Sequence, residues 1–315
     1  EGYLMRNALL TDLCELASIE LLVLQDARIE KSTENEFASC QWLMVNSETD
    51  LKIELVNLAG KYDAVWLIAP ETDGILADWC QFFDKQGKQL CTSAYQAVTV
   101  CGDKLQTFKV LQAAGIPCVS SREYYMSESV EAGEWVLKNN HSVGCDQVYL
   151  LRSELNWPLA WPQLDVTQRY LIQPYIQGKA LSLSCLFFRG SAYYMCCNEQ
   201  HLNVVKQQFV LVACTVNVQT EKTERYRQLC QEIAAAVPHL FGYVGIDFIE
   251  STAGEVLVLE INPRLTSSYV GIRAALGINV AAQVINMLNE SPPHFTKTQH
   301  QEIRINMDQE IINAG

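Results

Sequence analysis

Short apolar runs alternate with helix-periodic segments through the first ninety residues, and that alternation restricts the fold more than any other feature. Residues 3–17, "YLMRNALLTDLCELA", carry apolar side chains at 4, 5, 9, 10, 13, 16 and 17, the spacing of one helix face. "IELLVLQD" (19–26) follows as a buried strand ending in Asp26. "TDLKIELVNLAGKY" (49–62) predicts a helix stopped at Gly60, "DAVWLIAP" (63–70) a second buried strand, and "GILADWCQFFDKQG" (74–87) a third amphipathic helix. Helix and strand in alternation require a parallel sheet covered by helices. A chain that opens on a helix is unusual for such a unit, so a strand before residue 1 is expected; the first residue is Glu1, not Met.

The pattern then changes. A helix is expected over about 103–113, ended by Gly115, and "GEWVLKNN" (133–140) is a strand bearing Lys138. "HSVGCDQVYLL" (141–151) is a loop returning into a strand, and "RYLIQPYIQG" (169–178) a strand broken at Pro174. Residues 180–205 and 208–219 predict antiparallel strands, 223–240 a helix, 243–263 a hairpin turning at "STAG", and 267–288 helix with a break at Gly277. The expected domains are an α/β unit over 1–92, a small lobe over 93–177, and a larger α+β lobe over 178–315.

The 315-residue chain is 49% hydrophobic, enough for a sizeable core. No apolar run approaches the ~18 residues of a membrane span, and no secretion signal is visible. A net charge of −13 argues against nucleic-acid binding. It leaves room for a small anion in a locally basic cleft. The 12 cysteines include no C-x-x-C pair and lie mostly in apolar segments. They read as buried, reduced thiols in a cytoplasmic protein.

Polar groups cluster at the end of the last hairpin, in "VLEINPRLTSSY" (258–269). Glu260 and Asn262 are two apart on a strand and project to one face. A turn near 253 sets Asp247 across from 259–260. Two carboxylates and a carboxamide, without Cys or His, suit Mg²⁺ or Mn²⁺. Arg264 would add a positive charge beside an anion carried by that metal. The plainer alternative is a polar strand end with a proline turn. Lys104 and Lys138, on separate elements, could clamp a polyphosphate, or be solvated surface lysines. "SVGCD" (142–146) offers a flap with the single glycine Gly144. "QPYI" (173–176) breaks a strand. Because Pro174 has no N–H, Gln173, Tyr175 and Ile176 would supply backbone contacts to a purine edge.

In order, "GDK", "AGIP", the strand lysine, "IQPYIQG", "GIDFIE" and "EINPR" resemble the ATP-grasp superfamily of carboxylate–amine ligases across residues 93–290. The resemblance implies a Rossmann-like pre-ATP-grasp domain followed by a two-lobed ATP-grasp domain. It implies that Lys104 and Lys138 contact ATP phosphates, that Gln173 and Ile176 hold adenine, and that Asp247, Glu260 and Asn262 bind Mg²⁺. Arg264, with Lys138, would be catalytic, stabilising the transferring phosphoryl group. "EGYLMRNAL", "GCD", "NEQH" and "EINPRLTSSYVGI" are similar to the tyramine–glutamate ligase-like branch, linked to methanofuran-type cofactor synthesis. The implied activity is ATP-dependent joining of a carboxylate, such as L-glutamate, to an amine through an acyl-phosphate. The implied partners are those small molecules, with no nucleic acid and no membrane, and a homodimer is compatible.

Ser267, Ser268 and Tyr269 open a helix and are candidate contacts for the acid, with ordinary serine capping as the alternative. His201, beside Gln200, is a candidate substrate contact or a solvated loop residue. Four departures leave open a second reading, a weakly catalytic nucleotide-binding regulator: Ala180 where a ribose-binding carboxylate is common, Lys138–Asn139 in place of Lys-Pro, a glycine-poor flap, and no glycines after "NEQH". The intact Asp247, Glu260, Asn262 and Arg264 set speaks for activity. An oxidoreductase is disfavoured, since no G-x-G-x-x-G follows a strand.

Overall fold

The computed structural model describes residues 2–28, 37–125, 130–152, 164–165 and 167–307. The N-terminal layer begins with helix α1 (Gly2–Cys14). Strands β1 (Leu22–Asp26) and β2 (Gln41–Val45) pair in parallel, Val23 opposite Trp42. Helix α2 (Leu51–Asn57) starts where the Asp50 side chain accepts from Ile53 N. Strand β3 (Ala64–Val65), helix α3 (Ile75–Lys85) and strand β4 (Gln89–Leu90) follow, with β3 and β4 parallel. The expected strand over 63–70 is paired only at its first residues. Beyond them Ile68, Ala69 and Pro70 turn to line a cleft against the large lobe. Strands β2 and β4 are only five and two residues long, too short to show a period of two in the sequence.

Helix α4 (Tyr95–Gly102) runs into helix α5 (Lys104–Ala113), whose first turn is capped by Asp103 accepting from Gln106 N. A small antiparallel set follows: β5 (Arg122–Tyr124), β6 (Trp135–Asn139), β7 (Val148–Leu151) and β8 (Tyr170–Pro174), in the order β7-β6-β8-β5. The larger set holds β9 (Gly178–Phe188), β10 (Ser191–Val205), β11 (Gln208–Val216), β12 (Gly242–Ser251) and β13 (Val256–Asn262), in the order β13-β12-β9-β10-β11, with β14 (Ile303–Asn306) on β11. One residue pair, Gln208 with Tyr149, joins the sets into a ten-stranded sheet.

Helix α6 (Thr223–Ala236) covers one face of the large set, and helices α7 (Tyr269–Leu276) and α8 (Val280–Leu288) the other. Strand β9 serves both cores by strict alternation. Leu183, Cys185 and Phe187 pack with Tyr226 and Ile233 of α6. Leu186 and Phe188 pack with Ile272, Val284 and Met5 of α1. With both faces covered, the strand reads as one apolar run, "SLSCLFF".

The twelve cysteines are free thiols: Cys14 is exposed, Cys118 and Cys145 half-buried, the rest buried. Burial pushes Cys80 and Cys91 up to about 12. No single described helix is long and apolar enough to cross a membrane; α7 and α8, bent by 104°, pass only as a pair.

Candidate active site

The β12–β13 hairpin sets Asp247 directly opposite Glu260 and Gly245 opposite Asn262. The register slips just beyond, between Asp247 and Phe248, so Leu259 has no partner on β12. Bulges of this kind re-aim side chains at sheet ends beside sites. Asn262 Nδ2 donates to Asp247 Oδ2 at 3.0 Å, and Gln200 Nε2 of β10 donates to Oδ1 at 3.0 Å.

The charges around this pair are unequal. Burial pushes the Asp247 carboxyl well above the usual carboxylate range, and the facing Glu260 adds to the rise. Burial acts on Glu260 in the same direction, but Lys104 and Lys138 outweigh it and bring Glu260 below its ordinary value. Lys104 Nζ lies 3.4 Å from Glu260 Oε2 and donates to the carbonyl of Ser142. Lys138, buried on β6, is pulled down by burial, lifted by Glu260, and lowered again by Lys104. Both candidate phosphate lysines therefore face the candidate metal carboxylates.

The first turn of α5 positions Lys104. Its amide donates to Asn140 O at 3.2 Å, and Leu105 N donates to Asn140 Oδ1 at 3.0 Å. The loop that follows, with Val143 and Gly144, lines a cleft of about 240 Å³ together with Asp247, Glu260, Asn262 and Arg264. Gly144 has φ +61°, a backbone state that glycine adopts at little cost.

Arg264 does not lie free beside the metal candidates. Its Nε donates to Glu71 Oε2 at 2.6 Å, and Nη1 donates to Leu265 O at 3.0 Å. Glu71, from the N-terminal layer, was not singled out from sequence. Its only signal was a carboxylate directly after an apolar run, "LIAPE".

Ser267 and Ser268 both line the cleft. Ser268 precedes α7 without a capping hydrogen bond from its side chain. Instead its Oγ joins a hydroxyl network with Tyr243, Thr266 and Ser184, at 3.1, 2.9 and 3.3 Å. Tyr269 and His201 do not line this cleft. The Tyr269 hydroxyl is buried and donates to Asp12 Oδ2 at 2.8 Å. His201 is a strand residue, not a loop residue. It follows Gln200 by one position, so strand alternation turns it to the other face, where Nε2 lies 2.8 Å from Thr215 Oγ1.

The residues expected around a purine lie apart from the cleft. Gln173 Nε2 donates to Ser121 Oγ at 2.7 Å, and the Tyr175 amide donates to Glu134 O at 2.9 Å. The Tyr175 ring packs with Val136, Val148, Leu150 and Phe209 at the seam between the two strand sets. Gln173 is likewise a ladder residue, paired with Val136 of β6, so the main chain of both Gln173 and Tyr175 is engaged within the small lobe.

Two family models match this chain. One describes an ATP-grasp domain over residues 101–268, the other a pre ATP-grasp 3 domain over residues 19–98. The chain belongs to the ATP-grasp family. This ATP-grasp chain is 23% identical to the tyramine–L-glutamate ligase of Methanocaldococcus fervens, over 97% of this chain and 93% of that protein. Among solved structures, the N5-carboxyaminoimidazole synthetase of Staphylococcus aureus superposes with a TM-score of 0.74 and 16% identity, over 96% of this chain and 78% of the other. The biotin carboxylase domain of 2-oxoglutarate carboxylase from Hydrogenobacter thermophilus, solved with MgADP and bicarbonate, gives 0.76 and 16%, over 93% and 69%. The fold is therefore a pre-ATP-grasp domain followed by an ATP-grasp domain, as the sequence motifs imply.

Proposed function

We propose that this ATP-grasp protein is an ATP- and Mg²⁺-dependent carboxylate–amine ligase that forms an amide and releases ADP and phosphate. The observation that carries the reading is the convergence of Lys104, Lys138, Asp247, Glu260, Asn262 and Arg264 on one region from four separate stretches of chain. The similarity to tyramine–L-glutamate ligase supports L-glutamate as the acid and tyramine, or a related amine, as the acceptor.

In this reading residues 1–92, 93–177 and 178–315 form the pre-ATP-grasp domain and the two lobes. The donor set suits Mg²⁺, being entirely oxygen. Burial first, and then the facing Glu260, raise Asp247, and that carboxylate repulsion is the kind that a divalent ion relieves. Asp247, Glu260 and Asn262 would hold the ion, which supplies charge neutralisation to the phosphates when bound. Lys104 and Lys138 bring two positive charges to the same phosphates. Arg264 stabilises charge on the group in transfer, and Gly144 lets the flap backbone approach it. Gln173, Tyr175 and Ile176, on the small lobe away from the metal cleft, would meet the base only from the strand break at Pro174, with Ile176 as the main-chain contact. Ser267 and Ser268 offer hydroxyls to the acid. A carboxylate has no usable leaving group; phosphorylation gives it one, so no side-chain nucleophile is required. The buried, reduced thiols support a cytoplasmic setting.

The test is ADP release with ATP, Mg²⁺ and a panel of acids and amines that includes L-glutamate and tyramine, with Glu260→Ala as the control. Amine-dependent ADP that disappears in the control supports the ligase. Tight MgATP binding without turnover on any pair would favour the regulatory reading instead.

A further inference from the structure

The two carboxylate oxygens of Glu71 differ. Oε2 accepts from Arg264 Nε at 2.6 Å. Oε1 is buried and has no hydrogen-bond partner among the described residues. The residue is only 6% exposed. Leaving such an acceptor without a donor costs about 1–3 kcal/mol, and a persistent exception of this kind points to a group that arrives later.

The space beside Glu71 sets the size of that group. A recess of about 10 Å³ is lined by Glu71, Gly102, Lys104, Ser142, Glu260 and Asn262. It has room for about one non-hydrogen atom. Gly102 keeps the wall close: a Cβ there would meet Glu71 Cβ at 3.2 Å. The recess adjoins the main cleft, since Val143, Glu260 and Asn262 line both.

Charge narrows the choice further. The Arg264 guanidinium already compensates Glu71 and the Lys104 ammonium compensates Glu260, so the recess keeps no net negative charge to hold a second divalent cation. An uncharged N–H donor of one-atom size needs none. The residues just before Glu71 extend the argument. Ile68, Ala69 and Pro70 line the main cleft with Met5 and Leu211 and give it an apolar wall. A ligand with an apolar body on that wall can direct a nitrogen toward Glu71.

We infer that Glu71 receives the amine substrate: Oε1 accepts an N–H of the attacking nitrogen, and the Ile68–Pro70 segment holds an apolar body attached to it. The inference rests on the ligase reading above. As the nitrogen lone pair forms the C–N bond, the bond from the acyl carbon to the phosphate oxygen breaks, and phosphate leaves with that electron pair. The nitrogen attacks as the neutral amine, its ammonium proton having gone to solvent water before binding, and the proton displaced from nitrogen on bond formation passes to Glu71 Oε1. The N-terminal layer thus contributes chemistry to a site whose other groups come from the lobes.

The experiment compares two nucleophiles on the same acyl-phosphate. With ATP, Mg²⁺ and L-glutamate, amide formation from tyramine is measured beside hydroxamate formation from hydroxylamine, which is small and uncharged near neutral pH. In Glu71→Gln the ratio of amide to hydroxamate should fall by about 100-fold, with partial recovery in Glu71→Asp. An unchanged ratio overturns the inference, because a residue that merely holds Arg264 depresses both products together. If Glu71→Gln does not fold, Ile68→Trp reads the same point. It should raise the tyramine KM more than the hydroxylamine KM, and an equal change overturns the proposal. Wild-type protein that yields neither product with any acid of the panel sinks the ligase reading itself, and the role of Glu71 with it.

Discussion

Asp247 and Glu260 face each other as a register pair across β12 and β13, and the lysine in ion-pair contact, Lys104, lies against Glu260. The asymmetry makes Asp247 a source of instability in the ion-free protein. Its carboxyl is raised by burial and by Glu260, so the native state binds that proton more tightly than the unfolded chain. Its contribution to stability therefore declines as pH rises above the ordinary aspartate value. Asp247→Asn removes the penalty. At neutral pH without Mg²⁺ the variant should melt no lower than wild type. Its amine-dependent ADP release should drop by about 100-fold or more, and Mg²⁺ should raise the melting temperature of wild type only. A melt well below wild type without Mg²⁺ would contradict this account.

The hairpin was legible because its signals are local. A period of two puts Glu260 and Asn262 on one face, and the "STAG" turn fixes which residues face Asp247. Lys104 was legible through its place at the start of a helix. What the sequence hid depends on long-range contact. Glu71 is 193 positions from Arg264, and nothing near "APETD" reports that separation. Tyr269 and His201 lie off the cleft for a related reason. Nearness to a motif in sequence placed them at the site, but Asp12 and Thr215 engage their polar atoms elsewhere. Strand alternation puts Gln200 and His201 on opposite faces of β10.

The Tyr243 hydroxyl lies among three others: Ser184 at 2.9 Å, Thr266 at 2.9 Å and Ser268 at 3.1 Å. Ser184 also accepts from Asn198 Nδ2 at 3.0 Å, so the network reaches from the cleft floor into the core. Tyr243→Phe removes its centre and leaves buried hydroxyls short of partners. The expected loss is about 1–3 kcal/mol in urea unfolding. Ser268→Ala, at the cleft end, should cost less and act mainly on the KM of the acid.

Gly242 begins β12 with φ +74°. A Cβ at this position would meet the Cys91 carbonyl oxygen at 2.8 Å. The obstacle is backbone, so no rotamer change relieves it. Gly242→Ala should therefore destabilise through both the left-handed φ and the contact, by about 1–3 kcal/mol, visible as a lower denaturant midpoint. Gly254→Ala, at the hairpin turn, shares the positive φ, but its nearest neighbour is the flexible end of Lys222 at 3.7 Å. It should cost less, and the difference between the two variants isolates the contact with Cys91.

Asp12 fastens the N-terminal layer to the large lobe. Its Oδ1 accepts from Arg273 Nη1 at 2.8 Å, its Oδ2 accepts from Tyr269 at 2.8 Å, and its carbonyl accepts from Asn279 Nδ2 at 2.9 Å. Burial raises the carboxyl, and the bonds from Arg273 and Tyr269 recover only part of the rise. The native state thus holds this proton more firmly than the unfolded chain, whose ordinary value is 3.8. The stabilisation is complete below that value and shrinks as pH climbs through the raised one. Asp12→Asn cannot titrate, so its penalty against wild type should be largest near about pH 4 and smaller near about pH 7. Urea midpoints of both proteins at the two pH values decide it. A penalty that grows toward neutral pH would mean that the ion pair with Arg273 outweighs burial at this contact.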